Sequence, residues 1–68
     1  MWRLMSRDGP ELLIGDISHL RESGLCCQVL AIFGDIKLVR VRLDDGGVME
    51  CAPAALDCYL METAHPGE

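Results

Sequence analysis

Four cysteines, Cys26, Cys27, Cys51 and Cys58, have the widest chemical reach of any residues in this chain. Thiolates hold zinc when Cys or His residues come in two close pairs, each with a gap of about two to four residues. No such pair occurs here. Cys26 and Cys27 are adjacent, and neighbours on a strand point to opposite faces, so both reach one ion only through a bulge. The four therefore read as small apolar side chains of a core. A cross-strand approach of Cys27 and Cys51 stays open, because cysteine pairing is not carried by spacing. His19 and His65 have no Ser, Cys or carboxylate at a spacing that suggests a catalytic unit. A general base needs a positioned partner, so both read as surface histidines. Asp44-Asp45 look like paired carboxylates, but Gly46-Gly47 follow them, and Asp before Gly is turn chemistry. The same DDGG lacks the Lys and the following helix of a phosphate-binding loop. No cofactor and no metal is expected, and a binding role is favoured over an enzymatic one.

Arg40 and Arg42 are the strongest polar candidates. On a strand their side chains leave one face roughly 7 Å apart. With Lys37 they could meet a carboxylate or a phosphate; alternatively they are a solvated face that pairs with Glu50 across a hairpin. Ile36 and Leu38 are assigned to the same outward face, and Met49 lies on the returning strand. Apolar residues opposite a core point to a subunit or partner interface, unless the N-terminal segment simply covers the strand. The candidate contact face is thus Ile36, Leu38, Arg40, Arg42, Met49 and Glu50.

The elements that must carry these residues are short strands. "MWRLM" (1–5) reads as an edge strand stopped by the Asp-Gly-Pro turn signal. In "ELLIGDISHL" (11–20), Gly15 disfavours a helix, and Leu12, Ile14 and Ile17 suit a strand bent or bulged at Gly15-Asp16. "RESG" turns the chain. "LCCQVLAIF" (25–33), bracketed by Gly24 and Gly34, reads as a strand buried on much of both faces. "IKLVRVRL" (36–43) alternates: Val39, Val41 and Leu43 on one side, Leu38, Arg40 and Arg42 on the other. "DDGG" predicts a tight hairpin and "VMEC" (48–51) its antiparallel return. After Pro53 two readings remain: a helix with Leu56, Tyr59 and Leu60 on one face, or a 3₁₀ turn at "PAAL" followed by a last strand. The tail, 63–68, is expected to be disordered.

A chain of 68 residues makes one domain, whose core is marginal and often reinforced by oligomerisation. Trp2, Phe33 and Tyr59 are its only aromatic residues, so aliphatic and sulfur side chains must fill the interior. The net charge of −5 argues against a domain built to neutralise phosphates. The first residues, broken by Arg, Asp, Gly and Pro, read as neither a signal peptide nor a membrane span. A cytoplasmic protein with reduced cysteines is expected.

Together these elements predict an all-β fold of four to five antiparallel strands closed into a small barrel, with a short 3₁₀ or helical turn after Pro53. The succession Gly15-Asp16, Gly34-Asp35, Val39-Arg40-Val41, Gly46-Gly47-Val48 and Pro53-Ala54-Ala55-Leu56 resembles SH3-like barrels. It is similar to Tudor/KOW-type binding modules, to the accessory domain of ferrous-iron transport, and to the plasmid-borne type II dihydrofolate reductase. The resemblance covers residues 15–60, and its shared elements are turn glycines and core positions, which mark a fold rather than a site. The reductase places a Gln and a Tyr against its ligands in the strand before the Pro/Ala/Ala/Leu knot. Here that strand is Val48-Met49-Glu50-Cys51, without either side chain, and Glu50 would repel an anionic ligand. The expected function is non-enzymatic protein–protein contact, as a homo-oligomer or with another protein. An oligomer binding a small ligand or nucleotide cofactor at its symmetry centre is the alternative, and a nucleic-acid-binding module is the third.

Overall fold

The computed structural model describes residues 1–63, and every described element is a strand except one turn of 3₁₀ helix. The strands are β1 (Trp2–Ser6), β2 (Glu11–Leu12), β3 (Ile17–His19), β4 (Cys26–Phe33), β5 (Leu38–Leu43), β6 (Val48–Cys51) and β7 (Cys58–Glu62), with the 3₁₀ turn at Pro53–Leu56. They form two antiparallel sheets, β2-β1-β7 and β3-β4-β5-β6. No described helix is long and apolar enough to cross a membrane.

The expected closure into a barrel does not occur: no ladder joins the two sheets. Three strands, β1, β4 and β5, have partners on each side, and the edge strands β2, β7, β3 and β6 pair only within their own sheets. The sheets meet instead through side chains. Leu4, Cys27, Val29, Val39, Val41, Cys51, Leu56 and Cys58 form one buried cluster drawn from both sheets and the 3₁₀ turn. Completely burying a valine or leucine contributes about 1.5–3 kcal/mol, so these few residues carry much of the fold.

Local chemistry explains the departures from the sequence reading. β1 is central rather than an edge, because the last strand returns to pair with it from Trp2↔Glu62 to Ser6↔Cys58. Thr63 extends that ladder, donating its N–H to the Met1 carbonyl at 2.9 Å; the rest of the tail assigned to disorder, 64–68 with His65, lies outside the described residues. The stretch 11–19 is two short strands, since residues 13–16 close a full turn. Asp16 N–H donates to the Leu13 carbonyl at 3.0 Å, Asp16 Oδ2 accepts from Leu13 N–H at 2.8 Å, and Gly15 sits at φ +96°. That turn sends β2 to one sheet and β3 to the other. β4 is at least half-buried along its whole length, as the sequence reading expects, with Cys27 and Val29 fully inside and Cys26 and Gln28 between solvent and core. Its ladder with β5 slips between Val29 and Ala31.

The β5–β6 hairpin is built as DDGG requires. Gly46 N–H donates to the Leu43 carbonyl at 2.9 Å, Leu43 N–H to the Gly47 carbonyl at 2.7 Å, and Gly46 takes φ +89°. This is a type I turn followed by a left-handed residue, a common three-residue hairpin loop. After Cys51, the open choice resolves to the 3₁₀ turn. Pro53 starts it, Asp57 at φ 54° ends it by donating its N–H to Ala54 O, and β7 begins one residue later.

Candidate functional site

The outer face of the four-stranded sheet gathers most of the polar side chains of interest. Residues paired across neighbouring strands share a face. Register therefore places Ile17, His19, Cys26, Gln28, Phe33, Leu38, Arg40, Arg42, Val48 and Glu50 there. Arg40, Arg42, Glu50 and Leu38 of the sequence-derived contact face are brought together. Arg40 grips Glu50: its Nε and Nη2 both donate to Oε2, at 3.0 and 2.7 Å. Its guanidinium also lies over the Phe33 ring, 5.1 Å from the centroid. The pair is the cross-hairpin contact that one sequence reading anticipated. It leaves Arg42 as the arginine of this face without an ion pair among the described residues.

Two members of the expected face lie elsewhere. Met49 pairs with Val41 and so shares the inner face with that buried valine. It remains partly exposed because the sheets do not close there. A cleft of about 460 Å³ opens beside it, lined also by Leu20, Arg21, Ser23, Ala54 and Ala55. Ile36 is not on a strand: residues 34–37 form a turn, with Lys37 at φ 57°, and Ile36 stands 64 % exposed at its tip. Trp2 packs directly on the other end of this turn, where a Cβ added at Gly34 would fall inside the indole. The N-terminal segment thus covers the turn rather than the arginine face.

Strand β6 is an edge, and its backbone is open. The Leu43–Gly47 bond sets the alternation of an antiparallel pair. Residues 49 and 51 exchange hydrogen bonds with β5, while Val48 and Glu50 turn their N–H and C=O groups away from it. Neither has another backbone partner among the described residues. Val48 and Met49 are both exposed apolar residues on this edge.

The cysteines divide. All four are free, with Cys27, Cys51 and Cys58 buried and Cys26 half-buried. Burial pushes the three inner thiols up from the ordinary range; neighbouring thiols add to the effect at Cys27, and the Asp57 carboxylate, then neighbouring thiols, at Cys58. Cys27 and Cys51 are not cross-strand partners, since β5 runs between β4 and β6. Among the described residues, no three His, Cys, Asp or Glu side chains converge to hold a metal ion.

Cys26 has a neighbour that spacing alone did not reveal. His19 pairs with it across the β3–β4 ladder, and Cys26 Sγ lies 3.3 Å from His19 Nε2. The signal was present in "SHLRESGLCC": a turn at 20–25 makes 19 and 26 opposite neighbours. A one-residue change of register would have put Cys27 there instead; the observed register carries the Leu20 N–H to Leu25 carbonyl bond at 2.9 Å and the Ile17↔Gln28 and Ser18↔Cys27 pairs.

No family model, curated protein or solved structure matches this chain.

Proposed function

We propose that this chain is a non-enzymatic SH3-like domain that acts by protein–protein contact, with a second copy of itself as the partner. The contact surface is the β5–β6 half of the outer face together with the β6 edge. One observation carries the reading: the outward N–H and C=O groups of Val48 and Glu50, without a backbone partner among the described residues, along a strand that also exposes Val48 and Met49. Such an edge is a template for another strand. A second β6 laid antiparallel about Met49 sets Val48 opposite Glu50 of the other copy. That glutamate then stands across one strand from Arg42, which has no ion pair among the described residues. The small core supports the same reading, because domains of this size gain stability from association. Supporting the SH3-like assignment are the pairing of the terminal strands β1 and β7, the β4-β5-β6 meander and the 3₁₀ turn before the last strand.

The test is mass in solution, by light scattering after size exclusion with reductant present, across a range of concentrations. The expected result is twice the 7.5 kDa chain mass, falling toward one copy on dilution. Arg40→Glu with Arg42→Glu places like charges beside Glu50 and should weaken association by at least roughly tenfold while the circular dichroism spectrum is kept. A native chain that stays monomeric at every concentration overturns self-association. A dimer indifferent to the double variant overturns this surface.

A further inference from the structure

The imidazole of His19 and the thiol of Cys26 stand side by side near the end of the β3–β4 ladder, on the outer face. Cys26 is the one cysteine of the four that is not buried. The other three lie in the core, where loss of water holds them in the neutral, unreactive thiol form. Exchange with a disulfide needs an accessible sulfur and a route for its proton. In this chain Cys26 has both.

We propose that Cys26, held against His19 across the β3–β4 ladder, is a thiol-exchange site for small disulfides. The Sγ proton passes to His19 Nε2 as the sulfur attacks one sulfur of the disulfide. A mixed disulfide forms on Cys26, the original S–S bond breaks, and the leaving thiolate takes the proton back from the imidazolium. One disulfide and one protein thiol thus become one mixed disulfide and one small thiol, so the disulfide itself is the oxidant. The neighbouring Cys27 does not resolve the adduct, because its side chain enters the core from the opposite face. The modified state therefore persists until an external thiol reverses it. The site occupies the β3–β4 half of the outer face, and the proposed contact the β5–β6 half and the β6 edge.

The probe is bis(2-hydroxyethyl) disulfide, uncharged so that the chain's −5 does not govern its approach. The native full chain is exposed to it, quenched with acid, and read by intact mass and fragment mapping. One adduct per chain is expected, on Cys26, and none in Cys26→Ser. His19→Gln should slow exchange roughly tenfold at about pH 7. It should leave the rate unchanged at about pH 10, where thiols ionise without a base. A merely structural histidine would alter both rates or neither. Adducts on Cys27, Cys51 or Cys58 ahead of Cys26 in the native chain overturn the proposal, whatever the variant does. So does a His19→Gln chain that exchanges at the native rate near neutrality.

Discussion

Cys26 and Cys27 are one residue apart on β4 and of the same type, and they live in different solvents. Cys26 lies on the outer face beside His19, in reach of water. Cys27 is 2 % exposed, among Val29, Val41 and the other core side chains. The same division repeats on β5, where Val39 and Val41 are fully buried while Arg40 and Arg42 stand exposed between and beside them. A strand changes environment at every residue, so side-chain chemistry here is decided by parity along the strand. The inner face makes the fold and the outer face is free to make contacts.

The sharpest way to break this comparison is at adjacent positions of β5. Val41→Ala removes fully buried methyl groups and should destabilise the domain by about 1.5–3 kcal/mol in urea or guanidinium unfolding. Arg42→Ala, one residue on, should stay within about 0.5 kcal/mol when both variants are measured dilute enough to be monomeric. Equal costs would mean that the two faces are not distinguished as described. The cysteine pair gives a finer version. Cys27→Ser buries a hydroxyl in an apolar cluster and should cost about 1–2 kcal/mol, whereas Cys26→Ser should be close to neutral by the same measurement.

The smallest effect is in the pH dependence. Burial raises the folded-state pKa of Cys27, Cys51 and Cys58, so the folded protein holds their protons more tightly than the unfolded chain. Stability from these thiols is therefore fully present below the ordinary thiol range. It declines as the pH rises through that range and on toward the raised values. Unfolding free energy measured across alkaline pH should fall, and Cys51→Ala should flatten the decline.

These experiments probe a division whose rhythm is legible in the sequence. The alternation Leu38-Val39-Arg40-Val41-Arg42-Leu43 announced both faces of β5, because burial of every second side chain is enough to specify a half-buried strand. The Asp44-Asp45-Gly46-Gly47 turn was equally legible, since few sequences tolerate a left-handed residue at that point as Gly46 does. Pro53 marked the start of the 3₁₀ turn but not its length, which Asp57 sets by adopting the left-handed conformation. Gly15 marks a bend, yet its turn is stabilised by the Asp16 carboxylate, a contact no hydrophobic pattern registers.

What the sequence by itself determined is therefore local: a β-rich chain, the DDGG hairpin turn and the inward set of β5. Those features depend on backbone freedom and on burial patterns a few residues long. The tertiary structure decided everything that depends on register and sheet order. It paired β1 with β7, put Met49 on the inner face while Glu50 met Arg40, and set His19 against Cys26 rather than Cys27. The physical reason is that these pairings compete with one-residue slips that have almost the same local energy but exchange the two faces of a strand. The choice among them falls to the packing of both sheets around one small core, which no single segment contains.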